Sequence, residues 1–136
     1  MNIGERFYCS RCLAELDDEK LCSRCGYDPS GDSDIFPDAL EEGTTLQNMR
    51  FHVGAVRRSL KSGYVYGAYD YGRQKPAYIF EYFPKIGLIR DEYTDKVIVP
   101  PGHEAEFERG MKKLLLSANS RRKFFSENNT LYIFRP

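Results

Sequence analysis

The four cysteines of this chain place the strongest constraint on its fold. They form two C-x2-C pairs, CSRC at 9–12 and CSRC at 22–25, with nine residues between them. A two-residue gap lets both thiolates of a tight turn face one ion, and two such turns complete a tetrahedral sulfur site. The spacing therefore predicts one structural zinc ion with four ligands: Cys9, Cys12, Cys22 and Cys25.

Two alternatives would use the same cysteines differently. A pair of disulfides fits poorly because the N-terminal stretch MNIGERFYC has no apolar signal-peptide pattern, and the cytosol keeps thiols reduced. A redox-active C-x2-C motif is expected within a βαβ pattern, which surrounds neither pair. Four sulfur ligands leave no open position for water or substrate. We therefore expect the metal to fold its segment rather than to catalyse a reaction.

Length and composition predict one domain with a small appendage. The chain has 136 residues, of which 41% are hydrophobic, enough for a folded core. No apolar run approaches the ~20 residues that are needed to cross a bilayer. We therefore expect a cytoplasmic protein without a membrane segment.

The net charge of zero conceals an uneven distribution. Residues 1–43 carry four basic and eleven acidic side chains, whereas residues 44–136 carry sixteen basic and nine acidic ones. Two interpretations are open. Either two solvated surfaces happen to differ in charge, or the acidic front end docks on a basic face of the remainder.

The pattern along the chain predicts three parts. A zinc ribbon is expected at 1–28, an acidic linker without regular structure at 29–43 (PSGDSDIFPDALEEG), and a domain at 44–136. Asp17, Asp18 and Glu19 make the loop between the cysteine pairs acidic, which argues against phosphate binding by the ribbon.

The domain at 44–136 is predicted to have an α+β fold. Alternating apolar and aromatic residues indicate strands at 50–56, 63–70 and 77–82, a short extended piece at 97–99, and two strands within 123–134. An apolar stripe predicts a helix from about His103 to Lys123, with acids early and bases late as the helix dipole prefers. The order βββ–α–ββ predicts a five-stranded antiparallel sheet with one packed helix.

Residues 43–134 resemble the N-terminal lobe of a protein kinase, most of all that of bacterial serine/threonine kinases that begin with a zinc ribbon. The stretches that carry the resemblance are, in order, GTTLQNMRFHVGAV, SGYVYGAYD, EYFPKIGLIRD, FERGMKKLL and ENNTLYIF. The resemblance implies that the domain at 44–136 is a kinase N-lobe-like domain with a nucleotide cleft. It also makes the departures from the kinase pattern informative.

The first departure is in the glycine-rich loop. Kinases place G-x-G-x-x-G over the ATP phosphates because only bare backbone approaches them closely. The corresponding stretch here is RSLKSG at 58–63. Arg58 and Leu60 replace the first two glycines, and only Gly63 remains.

The second departure removes an ion pair. Where kinases have V-A-I-K, this chain has Ala77-Tyr78-Ile79-Phe80, so Phe80 stands at the lysine position and Tyr78 at the small alanine. Both lie on one face of the strand, where they are expected to fill the cleft. The alignment places Ser117 at the position of the partner glutamate.

The resemblance therefore implies a non-catalytic protein. The sequence reaches Arg135-Pro136, about where the kinase hinge would begin, without an H-R-D loop or D-F-G motif, so we expect no enzyme activity and no ATP binding. We predict a pseudokinase-like interaction module, an adaptor or regulatory subunit for a protein partner or a second copy. Its candidate surface comprises the altered cleft positions: Arg58, Leu60, Gly63, Tyr78, Phe80 and Ser117.

Two alternative functions remain open from the sequence. Nucleic-acid binding would use the bases of the second segment, namely Arg57, Arg58, Lys61, Arg121, Arg122 and Lys123, near its tyrosines. A non-catalytic nucleotide sensor would cradle phosphates at Gly63, with Arg58 or Lys61 in place of the missing lysine.

Overall fold

Three antiparallel sheets and one helix make up the structure, a computed structural model that describes residues 2–3, 6–17, 22–28, 36–117 and 122–135. The predicted acidic residues Asp18 and Glu19, the first part of the predicted linker (29–35) and Arg121 lie outside the described residues. Among the described elements, most residues in regular structure belong to strands.

The first sheet belongs to the cysteine-containing segment, residues 2–28, which we call the ribbon. Its three short strands pair in chain order: β1 (Asn2–Ile3), β2 (Arg6–Tyr8) and β3 (Glu15–Leu16). The first cysteine pair lies in the loop that joins β2 to β3. Pairing of Tyr8 with Glu15 closes that loop.

The main sheet has six strands, not the predicted five. Its strands lie in the order β10-β11-β7-β6-β5-β4. Their bounds are β4 (Thr45–Leu46), β5 (Phe51–Leu60), β6 (Gly63–Asp70), β7 (Lys75–Tyr82), β10 (Lys123–Glu127) and β11 (Thr130–Phe134). The unpredicted strand β4 has two residues, too short to show any alternation in sequence. A separate hairpin joins β8 (Ile89–Arg90) to β9 (Val97–Ile98).

The main sheet curls until it is nearly a barrel. The register between β5 and β6 shifts on both sides of Val56, as expected of bulges, which increase local twist. The residue after β4 then reaches the opposite edge, where the Gln47 backbone N–H donates to Glu127 Oε1 at 2.8 Å. Phe51 of β5 and Phe125 of β10 also stack on each other, with ring centres 5.7 Å apart. The predicted antiparallel sheet with one packed helix is therefore nearly closed, a feature that the prediction did not include.

The helix α1 (Glu104–Ser117) is shorter than predicted. Lys123, the predicted last helical residue, instead begins β10 and pairs with Phe134. The helix has acidic residues in its first turn and no basic residue in its last. The predicted basic end therefore does not complement the helix dipole. The helix packs on the main sheet through Tyr82, whose hydroxyl donates to the Phe107 carbonyl at 2.9 Å.

A buried charge network fills the interior of the curled sheet. Glu81 is 0% exposed, and its carboxylate forms a 2.6 Å ion pair with Arg90, whose side chain is 7% exposed. The hydroxyls of Tyr66 and Tyr132 donate to the same carboxylate at 2.8 and 2.6 Å. Burial raises the pKa of both tyrosines, so they remain protonated donors. Every oxygen of the buried carboxylate is thus paired.

The second part of the predicted linker is packed against this interior. The backbone N–H of Leu40 donates to the Tyr66 hydroxyl at 3.0 Å, and that of Gly43 donates to the Val53 carbonyl at 2.8 Å. The ring of Phe36 meets that of Tyr64 edge-on at 6.1 Å. Residues 36–43 therefore form turns that cover the main sheet.

Candidate metal centre and adjacent groove

The four cysteines converge as the sequence predicted. Their sulfur atoms all lie within 4.8 Å of one another. The sulfurs of Cys9 and Cys25 are 3.5 Å apart, and those of Cys12 and Cys22 are 3.7 Å apart. Four thiolates around one tetrahedral ion at Zn–S distances of about 2.3 Å would lie about 3.8 Å from each other. The geometry therefore fits a single metal ion that prefers sulfur ligands.

The two cysteine turns share one backbone conformation. The N–H of Leu13 donates to the Cys9 carbonyl at 2.9 Å, and that of Gly26 donates to the Cys22 carbonyl at 2.8 Å. Both donors have positive φ angles, 67° and 79°. Glycine adopts this conformation freely, whereas leucine there is strained by roughly 1–2 kcal/mol. Leu13 compensates by packing: its Cδ2 lies 3.1 Å from where a Cβ on Gly67 would be.

The thiols differ in how readily they ionise. Burial raises the pKa of the Cys9 thiol to about 12, whereas the backbone N–H of Cys25 lowers the pKa of Cys22 to about 7. A metal ion binds thiolates, so loading this centre releases protons.

The ribbon docks on the main sheet through the main chain of Ser10. The buried Ser10 carbonyl accepts a hydrogen bond from the Ala55 backbone N–H at 2.8 Å, at the bulge in β5. A Cβ added to Gly54 or Gly67 would lie only 2.6 or 2.5 Å from the Ser10 oxygen. The two glycines thus form a notch that admits the first cysteine turn, and we call it the glycine notch.

Tyrosines complete this junction. The Tyr78 hydroxyl donates to the carbonyl of the metal-ligand residue Cys12 at 2.9 Å. The rings of Tyr8 and Tyr69 are in contact at 6.4 Å, and the Tyr27 hydroxyl donates to Glu42. These contacts join backbone atoms, tyrosines and one carboxylate, and none of the salt bridges among the described residues links the ribbon to the main sheet.

We expect Gly67→Ala to weaken the docking. The new methyl group would overlap the Ser10 carbonyl, and such overpacking costs about 1–3 kcal/mol. Thermal unfolding should shift downward while metal stoichiometry stays unchanged, since no ligand is altered. Arg57→Ala, at an exposed position of β5, is the matched control. Equal melting temperatures for Gly67→Ala and the wild type would contradict the docking.

One face of the main sheet carries the helix, the ribbon and, between them, an open row. Side chains alternate along β7, so Tyr78, Phe80 and Tyr82 share this face. Tyr82 is covered by α1, and Tyr78 contacts the ribbon. Between them, Phe80 pairs with Val65 on one side and Ile133 on the other, and Ile133 pairs with Phe124. We call these four apolar side chains the open row: Phe124 is exposed, Val65 and Phe80 are half-buried, and Ile133 is buried.

Three members of the open row, Val65, Phe80 and Ile133, line a groove of about 660 Å³. Leu114 of α1 forms one wall and Tyr78 the other. Three basic residues are among those that line it: Lys75, Arg122 and Arg135. Among the lining residues that the structure describes, none is acidic.

The predicted cleft positions do not all meet in this groove. Leu60, Tyr78 and Phe80 line it. Arg58 is exposed and pairs with Val65, at the end of the open row but outside the groove lining. Ser117 lies outside this groove, where its hydroxyl donates to the Leu114 carbonyl at 2.9 Å. On the helix, the residue that faces the groove is Leu114, one turn earlier.

Gly63 is required by close packing of the chain. A Cβ there would overlap the Glu81 carbonyl oxygen and lie 2.8 Å from the Phe83 nitrogen. The single glycine that remains of the loop pattern is thus explained by the close approach of the β7 backbone, with which β6 pairs. It needs no phosphate contact.

The described residues therefore define a nearly closed antiparallel sheet with one helix and a docked four-cysteine centre. They contain no helix long and apolar enough to span a membrane. No protein-family model and no curated protein matches the chain.

A solved structure of similar fold is the apo form of PpkA-294, from a bacterial serine/threonine kinase. It matches with a TM-score of 0.63 at 19% sequence identity. The match covers 72% of this chain but 38% of the PpkA-294 chain. At this identity the likeness shows a shared fold.

Proposed function

We propose that this protein is a non-catalytic, zinc-binding protein-interaction module, an adaptor or regulatory subunit built from a ribbon and a kinase N-lobe-like sheet. The observation that carries the proposal is the open row between α1 and the ribbon, in which Phe124 is exposed and Val65 and Phe80 are only half-buried. Contiguous apolar surface of this kind marks association sites. The fold likeness to PpkA-294 supports the kinase-like part of the proposal.

The chemistry of the groove supports a non-catalytic role. Phosphoryl transfer needs carboxylates that hold Mg²⁺ and a lysine that reaches the phosphates. In the groove, the apolar side chain of Phe80 lies centrally between Val65 and Ile133. These residues can bind apolar groups, and they supply no metal ligand or proton acceptor.

A second candidate is nucleotide binding without chemistry. The groove has the volume of a small-molecule site, and Lys75, Arg122 and Arg135 could approach phosphates. Weighing against it, the resemblance to kinases places Tyr78 where a small alanine leaves space for adenine, and Phe80 where a lysine would contact the phosphates. The same experiment separates the two candidates.

The test is affinity capture of the metal-loaded protein from its native extract, with and without nuclease and with and without added ATP. We expect a protein partner that survives nuclease treatment and ATP but is lost with Phe80→Ala. Tyr93→Ala is the matched control, because Tyr93 is 88% exposed on the β8–β9 hairpin and outside the groove. Release of the partner by ATP would favour the nucleotide candidate. Equal capture by both variants would contradict an interaction through the open row.

A further inference from the structure

The basic residues at the end of the groove are gathered by strand topology. Lys75 begins β7, Arg135 follows the end of β11, and Arg122 precedes the start of β10. Because β11 runs antiparallel to both of its neighbours, these three positions lie at the same end of the three strands. Sequence separation hides this cluster, since Lys75 lies far along the chain from the other two residues.

No salt bridge among the described residues joins an acid to the cluster, although Lys75 pairs across the strands with Asp70, whose carboxylate is held by Arg50. The salt bridges of the described residues join Arg50 to Asp70, Arg90 to Glu81 and His103 to Glu106. All three basic residues at the groove end are exposed, and no acidic residue is among the described residues that line the groove. Like charges that share a site repel each other, so an anion that arrives there is favoured.

The positive cluster continues directly into the apolar open row. Ile133 of β11 lies two positions before Arg135, and it pairs with Phe80 of β7. A ligand that follows the groove therefore meets positive charge at one end and an apolar floor beyond it. An anion without an apolar part would use only the end of the groove.

We propose that the groove binds an acidic peptide segment of another protein. An aromatic or aliphatic anchor of that segment lies on Phe80 and Ile133, and its carboxylates lie beside Lys75, Arg122 and Arg135. This inference rests on the proposed interaction function and adds the chemistry of the partner. Charge complementarity of this kind speeds association and makes affinity depend on salt.

Fluorescence anisotropy with defined peptides tests the proposal. The probe is a short fluorescein-labelled peptide in which a Leu-Phe pair is flanked by aspartates. One control peptide carries lysines in place of the aspartates, and another carries alanines in place of the Leu-Phe pair. We expect only the first peptide to bind well, with weaker binding as salt is raised.

Charge reversal locates the binding site. We expect the double variant Lys75→Glu/Arg135→Glu to weaken binding of the acidic probe by at least about tenfold and to gain affinity for the lysine peptide. Both positions are exposed, so the fold should persist. Arg57→Glu is the matched control, since it reverses an exposed charge on β5 outside the groove lining.

The outcomes separate this inference from the proposed function. A native partner that depends on Phe80 but is insensitive to Lys75→Glu/Arg135→Glu would overturn the acidic-peptide proposal and leave the interaction function standing. Displacement of the probe by ATP, with direct binding of ATP, would assign the groove to a nucleotide. Self-association that depends on Phe80 and excludes the probe would assign the groove to a second copy. Each of these three results would overturn the inference.

Discussion

Loss of one cysteine ligand is expected to abolish metal binding and to destabilise both parts of the molecule. Cys22→Ser removes a thiolate from the centre, and a ribbon of this size has almost no core to keep it folded without the metal. The main sheet then loses the Ser10–Ala55 and Tyr78–Cys12 hydrogen bonds. We expect its free energy of unfolding to fall by about 1–3 kcal/mol.

Metal analysis and thermal unfolding measure the two effects separately. The wild type should carry one zinc ion per chain, and Cys22→Ser should carry none. Ser23→Ala is the matched control, because Ser23 is exposed in the same turn and offers no ligand. Stoichiometric zinc in Cys22→Ser would disprove the four-thiolate site. Iron in the wild type would retain the site but change the metal.

Replacement of Arg90, which lies in the separate hairpin, is expected to destabilise the main sheet strongly. Arg90→Met would leave the carboxylate of Glu81, which is fully buried, without its cation. Removing one partner of a buried ion pair costs about 3–5 kcal/mol because the other charge stays uncompensated. Urea unfolding should show this loss as a lower midpoint.

A double-mutant cycle distinguishes the charge effect from lost packing. The Arg90 guanidinium also lies over the ring of Phe83 at 5.0 Å, so methionine keeps part of that contact. We expect Glu81→Gln/Arg90→Met to be more stable than Arg90→Met alone, since the buried charge is then absent. Additive effects of the two changes would indicate that the pair is not coupled.

Features with strong local patterns were predictable from the sequence. The paired cysteines carry their spacing within two short turns, and β6 is so rich in aromatic and β-branched residues that its predicted bounds, 63–70, are those of the structure. The curling of the main sheet had no such signal. It depends on Gln47 meeting Glu127, two residues far apart in sequence and close only once the bulge has twisted β5.

The buried ion pair between Glu81 and Arg90 could not be predicted from the sequence pattern. Glu81 lies in an otherwise apolar and aromatic strand, where alternation alone does not reveal whether a carboxylate faces water or a partner. Its partner Arg90 comes from the separate hairpin and also donates to the carbonyls of Asp38 and Asp95. Such a partner is set by tertiary packing, so only the folded structure identifies it.

The docking of the ribbon had one usable signal that the prediction did not exploit. Glycine within a strand often marks the close approach of another backbone, and both Gly54 and Gly67 interrupt otherwise regular strands. What approaches is the carbonyl of Ser10, a main-chain atom. Main-chain contacts leave no side-chain pattern to read, so the partner of the two glycines could not be predicted.

The glycine notch holds the ribbon in a position that does not depend on the side chains of its outer surface. Its central contact, between the Ser10 carbonyl and the Ala55 N–H, joins two backbone atoms. Residues such as Ser23 and Arg24 point outward and take no part in it. Evolution can therefore change the outer surface of the ribbon while the ribbon stays in place. Substitutions on that outer surface are therefore expected to leave the joint unchanged.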